Sequence, residues 1–417
     1  MFSFSRPYSP QAVVFSISVS ILTAYELGAQ NFTIRSGYLN PFGVNGPLPF
    51  GKPLDTADGI GLKGGFNTAI SLNSAYDSNF LQSENDPESE FSLSLTPSVF
   101  YTSDPEGGAR IVMTGGYTPS ANVYLNNSDF SGVDQSGNVS LIVSGSRTTI
   151  SAYAGYGEDS GTDRFAGGFL TGSALSVGLQ GSYQLAPRTS ISAGWSSAIT
   201  EYGGEYGENS AVGFNGHSVN LGGFWAATER FGLGPSLTYS TDSSDNTGGS
   251  NSWGASLQAN YKAAERIQLS GSLGTQYSVY SRESGSGGFN LTGSFNASWQ
   301  IDEIWSWSGS IQSGIVPSPI YTNYVINSWS ISSSLNRSLS SGSAGLGLNM
   351  DFSNFESVGP TGGVTQDAQE NVSLFLNYSR PLFRDRVGFN ASIQYTLNSG
   401  DSDWQQILLS AGLSKSF

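Results

Sequence analysis

The sequence predicts an all-β fold, a closed antiparallel up-and-down transmembrane β-barrel of about 18 strands, and three observations lead to this prediction. From residue 62 to the end, segments of about 10 to 14 residues alternate apolar with small or polar residues. Aromatic residues collect near the ends of these segments. No stretch approaches the roughly 18 apolar residues of a membrane-spanning helix. A sheet edge left open in hydrocarbon would leave backbone groups without hydrogen-bond partners, so a membrane sheet has to close into a barrel.

Composition narrows the possible classes of protein. Of 417 residues, 37% are hydrophobic, 12% are charged and 12% are aromatic, and 54 are glycine. Soluble domains usually have about a quarter charged residues, and disordered chains have few aromatic ones. The formal net charge of -15 opposes nucleic-acid binding. Because the chain has no cysteine, disulfides, thiolate metal sites and cysteine nucleophiles are excluded.

The first 61 residues differ from the rest of the chain. Residues 1–29 have an early cation at Arg6, an apolar stretch over residues 12–24 and small residues before a plausible cleavage point, which is typical of a secretory signal peptide. A membrane anchor is the alternative, but the apolar stretch is short for a span. Residues 30–61 are rich in Pro, Gly and Asn and predict an extended arm, either periplasmic or inside the barrel as a small plug.

The first two strands show the alternation clearly. In GFNTAISLNSAY, one face carries Phe66, Ile70, Leu72 and Tyr76. In EFSLSLTPSVFY, one face carries Phe91, Leu93, Leu95, Val99 and Tyr101. Apart from Phe100, the opposite faces hold Ser, Thr, Asn and Ala.

Continuing this alternation predicts strands that start near residues 64, 89, 109, 137, 147, 172, 188, 214, 230, 251, 266, 287, 304, 324, 342, 370, 386 and 404. An even number of strands puts both chain ends on the same side of the membrane. Short turns such as GSRT, LAPRT, ATERF, KAAER, IDEI and NRSLSS then lie on one side. Longer stretches such as NFLQSENDPESE, GEDSGTDRFAGG, TEYGGEYGENSAVG and ESVGPTGGVTQDAQE lie on the other. Bacterial outer-membrane barrels show this asymmetry, with the short turns in the periplasm.

Aromatic placement gives an independent indication of two membrane interfaces. Near the predicted periplasmic ends lie Tyr101, Tyr183, Trp225, Tyr261, Trp299, Trp305 and Tyr378. Near the outer ends lie Tyr76, Tyr156, Tyr239, Trp253, Tyr277 and Tyr395. A soluble β-sandwich is the alternative, but it would not explain the one-sided turn lengths.

A barrel of about 18 strands generally keeps an aqueous channel, so a pore is the expected function. The pore-lining candidates on the polar faces are Asn67, Ser71, Asn73, Gln180, Gln258, Gln276 and Gln394. No ring of like charges stands out among them, and no loop is clearly long enough to form a large constriction. Such a lining favours small neutral hydrophilic solutes, although the same residues could simply solvate the interior.

Two charged features carry alternatives. The stretch SENDPESE gathers Glu84, Asp86, Glu88 and Glu90, which could bind calcium but lacks the spacing of an EF-hand, so a solvated acidic loop is expected. The lone histidine, His217, has no second histidine or cysteine to complete a metal site or a catalytic triad. The sequence therefore predicts no enzyme, no catalytic residue, no metal site and no cofactor.

One local pattern resembles a known family. The opening strand ends in Tyr76, Asp77, Ser78 and Asn79, followed by a polar loop and an apolar strand that contains Pro97. This hairpin, together with SYQLAPRTSISAGWS and NYSRPLFRDRVGFNASIQY, resembles the bacterial beta-barrel porin 2 family over residues 62–417. The resemblance implies an outer-membrane β-barrel, and some members of that family are associated with exopolysaccharide systems.

The chain ends in QILLSAGLSKSF, which predicts a last strand whose lipid face carries Ile407, Leu409, Ala411 and Leu413. Lys415 keeps that face but lies near enough to the end for its ammonium to reach the headgroups. Phe417 is the expected assembly signal, read by the barrel-assembly machinery. The other expected partners are outer-membrane lipid and hydrophilic solutes or polysaccharide, without nucleic acid. A structural or adhesive surface protein is the alternative function, and the sequence leaves the oligomeric state open.

Overall fold

The computed structural model describes residues 65–103, 110–163, 168–203, 205–206, 209–210, 213–244, 248–280, 287–317, 324–357, 368–383, 387–400 and 403–417. The predicted signal peptide (1–29) and N-terminal arm (30–61) lie outside these residues. No helix in the described part of the chain is long and apolar enough to cross a membrane.

Eighteen long strands form one antiparallel sheet. They are β1 (Gly65–Asp77), β2 (Glu90–Thr102), β3 (Ile111–Tyr124), β4 (Gly132–Ser144), β5 (Thr148–Asp163), β6 (Gly168–Ala186), β7 (Thr189–Gly203), β10 (Phe214–Ala226), β11 (Phe231–Ser244), β12 (Gly248–Ala264), β13 (Ile267–Tyr280), β14 (Gly287–Gln300), β15 (Trp305–Pro317), β16 (Tyr324–Leu339), β17 (Gly342–Ser357), β18 (Gln369–Leu382), β19 (Val387–Ser399) and β20 (Trp404–Ser416). Two short strands, β8 (Glu205–Tyr206) and β9 (Asn209–Ser210), form a separate hairpin between β7 and β10.

The sheet closes because its first and last strands pair. Each long strand pairs with the long strands before and after it, and β1 pairs with β20 in a register that sets Leu72 opposite Leu413. Every long strand therefore has two neighbours, and the wall has no free edge strand. The predicted closed barrel and its strand number are confirmed.

Most strands begin within two residues of the predicted positions, but three begin earlier: β4 at Gly132, β6 at Gly168 and β12 at Gly248. The prediction was wrong there because these extensions lack the apolar alternation on which it depended: those of β4 and β12 are mainly polar, and that of β6 has two adjacent apolar residues, Phe169 and Leu170. Most of GEDSGTDRFAGG, predicted as a loop, belongs to β5 and β6, whose ladder continues to the pair of Asp163 with Gly168.

The barrel has two different ends. The short-turn end holds the connections that follow the even-numbered long strands, such as those from β2 to β3 and from β4 to β5, and it also holds Phe417. The long-loop end holds the loop of residues 78–89 and the other connections that follow the odd-numbered strands β1, β3, β5 and β7. Every buried apolar side chain among the described residues lies at the long-loop end: Phe80, Leu170, Phe214, Tyr280, Val325, Ile326 and Trp404.

The outward face of the barrel is an apolar belt. Phe66 is 73% exposed, Leu72 52% and Phe289 78%, and large apolar residues on the same face of the other strands are exposed as well. Aromatic residues stand at both margins of the belt, with Tyr183 and Trp225 near the short-turn end and Tyr239 and Trp253 near the long-loop end. Water-soluble proteins rarely expose a continuous apolar surface of this size. The belt therefore faces lipid.

The wall has one extended interruption among the described strands. The ladder between β14 and β15 ends at the pair of Ser294 with Gln312. Just beyond it, Ser313 Oγ accepts the N–H of Gly293 at 3.0 Å and donates to the Gly293 carbonyl at 3.1 Å. A single buried hydroxyl thus satisfies both backbone groups of Gly293 at the point where the strands separate.

Candidate functional site: the barrel lumen

The inward face of the barrel is dominated by hydroxyl groups that pair across neighbouring strands. Ten such pairs have oxygen–oxygen distances of 2.7–3.0 Å. They are Thr96–Ser120, Thr114–Ser140, Ser196–Ser218, Ser252–Ser278, Ser272–Ser294, Ser308–Ser334, Ser310–Ser332, Ser343–Ser379, Ser373–Thr396 and Ser392–Ser410. All lie opposite the lipid face because successive side chains of a strand alternate.

The pairs leave hydrogen-bonding capacity facing the lumen. A hydroxyl can donate one hydrogen bond and accept two, and each pair uses only one donor. Some of the remaining capacity is used by neighbouring amides, as in the O–H of Ser120, which donates to Asn122 Oδ1 at 3.2 Å, and that of Ser373, which donates to Asn371 Oδ1 at 3.4 Å. In the half-buried and exposed pairs the rest can reach water or solute. The hydroxyl pairs are neutral and can exchange hydrogen bonds with little preference for orientation.

All seven pore-lining candidates lie on the inward face. Asn73 and Gln180 are buried, while Asn67, Ser71, Gln258, Gln276 and Gln394 are half-buried. Some of them are held by neighbours on the wall: the Nε2 group of Gln276 donates to Ser278 Oγ at 3.3 Å, and that of Gln394 donates to Thr396 Oγ1 at 3.1 Å. Their part in transport stays a prediction.

Among the described residues, four inward aromatic rings lie against glycines of the polar wall, and of these only Phe100 was noted in the sequence. Each ring occupies the space that a Cβ atom would fill on a glycine of the neighbouring strand. The ring–glycine pairs are Phe100 with Gly116, Tyr153 with Gly178, Phe224 with Gly232 and Phe375 with Gly347. The glycines therefore make room for rings that lie close against the wall.

The segment of residues 76–79, which carries the resemblance to the beta-barrel porin 2 family, contributes a clasp where the barrel closes. The side chain of Asp77 accepts the N–H of Asn79 at 2.9 Å and the Nε2 group of Gln406, on β20, at 2.6 Å. The Nδ2 group of Asn79 donates to the carbonyl of Gln405 at 3.2 Å and to that of Ser83 at 2.8 Å. Ser78 continues the contact, since its Oγ accepts the N–H of Ile407 at 2.7 Å. Tyr76, in contrast, belongs to the outward aromatic margin.

The loop of residues 78–89 packs against distant strands through Phe80. The Phe80 ring lies 5.0 Å from Tyr124 and 5.8 Å from both Phe130 and Phe169, measured between centroids. Its carbonyl accepts the Thr162 hydroxyl at 2.6 Å. The sequence placed this loop among the longer connections but found no loop clearly long enough for a large constriction; the structure anchors it to the long-loop ends of β3, β5 and β6.

Glu90 departs from the prediction of a solvated acidic loop. Glu84, Asp86 and Glu88 are exposed, as expected of such a loop, but Glu90 is only 1% exposed. Its carboxylate accepts five hydrogen bonds of 2.8–3.0 Å, from the backbone N–H groups of Phe91, Leu125, Asn126 and Asn127 and from the Asn127 side chain. Glu90 thus ties the loop after β3 to the start of β2.

The remaining candidate, His217, is exposed on the outward face of β10, opposite Ser197 and Thr241. Among the described residues, no group of three or more His, Cys, Asp or Glu side chains could hold a metal ion.

Comparisons with known proteins agree with the fold class and go no further. No family model matches the chain, and no curated protein matches it. The resemblance to the beta-barrel porin 2 family therefore stays a prediction.

Among solved structures, the chain is similar to the FrpB iron transporter from Neisseria meningitidis, with 12% identity and a TM-score of 0.47 over 81% of this chain and 62% of that one. It is also similar to the outer membrane protein OpdK from Pseudomonas aeruginosa, with 13% identity and a TM-score of 0.48 over 84% of this chain and 99% of that one. It is similar as well to the siderophore receptor PirA from Pseudomonas aeruginosa, with 11% identity and a TM-score of 0.41 over 85% of this chain and 81% of that one. Likenesses this distant carry no argument about function. From its own closed wall and apolar belt, the chain is a multi-pass β-barrel of the outer membrane.

Proposed function

We propose that the barrel is a porin-like channel for small hydrophilic solutes, with neutral solutes such as sugars passing most readily. The observation that supports this function is the inward wall of ten paired hydroxyls. A barrel of about 18 strands is too wide for its own side chains to fill. Neutral hydroxyls can replace the water around a sugar one hydrogen bond at a time, without the desolvation cost of a fixed charge.

The same wall chemistry would suit a polyhydroxylated chain, so an exopolysaccharide conduit, implied by the family resemblance, is a variant of this proposal. The predicted alternative is a structural or adhesive surface protein without transport. The two classes differ in one measurable property, since only a channel conducts ions through a single folded barrel.

The experiment uses single-channel recording in planar bilayers with cysteine substitutions at two adjacent positions of β15. Ser310 faces inward and is paired with Ser332, whereas Ile311 faces lipid. The native chain has no cysteine, so each substitution introduces the only thiol. A bulky thiol reagent should reduce the conductance of the Ser310→Cys variant and leave that of Ile311→Cys unchanged. A folded, heat-modifiable barrel without conductance would refute the channel and favour the structural alternative.

A further inference from the structure

Five arginines at the short-turn end occupy the same position relative to a strand. Each directly precedes a strand that runs toward the long-loop end, and these strands are β3, β5, β7, β11 and β13. The five arginines are Arg110, Arg147, Arg188, Arg230 and Arg266. In each case the arginine carbonyl accepts a backbone N–H from the next strand, at 2.7–2.8 Å, and the donors are Ser144, Gln184, Ala226, Lys262 and Gln300. The ladder of hydrogen bonds therefore extends through every one of these arginines.

Because the ladder continues, the alternation of side chains continues as well. The residue after each arginine has the lipid-face position, as Ile111 and Phe231 show by their exposure to the outside. The arginines accordingly take the inward position. All five are exposed, so their guanidinium groups reach water at the short-turn mouth of the lumen. Arg188 and Arg230 also line one surface depression together with the turn of residues 227–229.

Three other cations at this end occupy the lipid-face position near the aromatic margin, whereas Lys262, which follows the lipid-facing Tyr261, takes the inward position like the five arginines. The guanidinium of Arg337 lies 5.2 Å from the centre of the Trp305 ring, and the Lys415 ammonium lies 4.7 Å from the centre of the Phe417 ring. Arg380 shares the outward face of β18 with Tyr378. These three residues have the placement of membrane-interface anchors. The inward arginines do not, which separates them from headgroup contacts.

The charges around the arginines leave the mouth open to an anion. Within the described residues, none of the five arginines has an ion-pair partner. Among the described residues, the acids at the same end are Glu229 and Glu265, which directly precede Arg230 and Arg266, and Asp302 and Glu303. The Asp302 carboxylate accepts the backbone N–H groups of residues 304 and 305. The acidic side chains of the inward face in β1 to β5 lie at the opposite end, and they are Asp77, Glu90, Asp134 and Asp159. Charge is therefore polarised along the barrel axis.

We propose that these five arginines form an arc of positive charge at the short-turn mouth, along the wall from β3 to β13, that favours anionic hydrophilic solutes, carrying carboxylate or phosphate groups, over cationic ones. The inference rests on the proposed channel and adds its charge preference: the hydroxyl wall accepts neutral solutes, and the mouth concentrates anions and repels cations. A fixed positive arc raises the local concentration of anions even though the chain as a whole carries -15. Sequence reasoning missed the arc, although an arginine at the start of a strand was visible in GSRT, APRT, TER and AER.

The first experiment measures the ratio of chloride to potassium permeability from reversal potentials in a KCl gradient. The wild-type ratio should exceed one. A variant with all five inward arginines changed to glutamine should fall to one or below. The control, Arg337→Gln with Arg380→Gln, removes outward cations from the same end and should keep the wild-type ratio. An unselective wild type, or equal effects of the two variants, would overturn the inference and leave the channel standing.

The second experiment does not require conduction and uses a single charge change. Gln184, which faces Arg147 across the ladder, is changed to cysteine, and its reaction rates with an anionic and a cationic thiosulfonate reagent are compared. The matched site is Ser338→Cys, which lies opposite Ile304 instead of an arginine. Adding Arg147→Gln should lower the anionic-to-cationic rate ratio at position 184 about threefold in ~0.1 M salt. It should leave the ratio at position 338 unchanged.

The two experiments distinguish failure of the proposed channel from failure of the proposed anion preference at its mouth. A barrel that does not conduct but shows the arginine-dependent rate ratio at position 184 would refute the channel and retain the anion-attracting mouth. If the anionic-to-cationic rate ratios at positions 184 and 338 are equal and do not respond to Arg147→Gln, the proposed anion preference of the mouth is refuted, whatever the conductance.

Discussion

Glu90→Gln tests how strongly one buried carboxylate holds two loops together at the long-loop end. One Glu90 oxygen accepts three N–H groups and the other accepts the N–H and the side-chain amide of Asn127. A glutamine keeps the shape, but its NH₂ group must replace one oxygen. The least costly orientation of the glutamine turns its NH₂ group toward Asn127, where the two hydrogen bonds from the Asn127 N–H and side-chain amide are lost. Bonds to a charged acceptor contribute about 1.5–3 kcal/mol each, so the local loss is about 3–6 kcal/mol.

Amide hydrogen exchange over residues 125–131 is the direct assay, since each 1.4 kcal/mol corresponds to roughly a tenfold change in an opening equilibrium. Exchange there should accelerate by at least ~100-fold in Glu90→Gln. The control is Glu88→Gln, an exposed acid of the same loop, which should change stability by less than ~0.5 kcal/mol. If the two variants exchange and unfold alike, the carboxylate does not hold the loop and the reasoning is refuted.

Three further changes probe the wall and its closure. Asn79→Ala removes the clasp on Gln405 and should destabilise the β1–β20 contact by about 2–4 kcal/mol, seen as faster exchange in β20, and unchanged exchange would count against the clasp. Gly234→Ala should destabilise the barrel by at least ~1–3 kcal/mol in thermal unfolding, because its Cβ would meet the backbone of the neighbouring strand. Gly181→Ala, with open space around it, should have little effect. Deletion of Phe417 should reduce assembly into membranes far more than the conductance of assembled molecules, and normal assembly would contradict its role as a signal.

The strands were predictable because each requires only local information. A residue such as Leu72 faces lipid because its neighbours on either side face the other way, and a two-residue period is visible without knowing the partner strand. The strand number followed from counting these segments. The extensions of β4, β6 and β12 were missed because hydrogen bonds between backbones hold them, and backbone pairing does not require an alternation of apolar and polar side chains.

For the candidate site, the sequence predicted which residues face the lumen but not which of them contact one another. The inward position of Gln180 or Gln258 follows from alternation, but the hydroxyl pairs depend on register, which brings Ser310 opposite Ser332. Glu90 could not be distinguished from Glu88 by sequence, since both lie in one acidic run. Four of the five donors to the Glu90 carboxylate come from the loop after β3, more than 30 residues later in the chain.

By itself, the sequence determined that the chain is a barrel, because a two-residue period, aromatic margins and turns of unequal length each follow from a sheet that faces lipid on one side. The tertiary structure decided which residues meet across that sheet. It brought Phe80 to Phe169, joined Asn79 to Gln405 and extended the ladder through Arg147 so that its charge points inward. The physical reason is that polarity of a face is a local property of the strand, whereas register and loop docking depend on contacts between segments far apart in the chain.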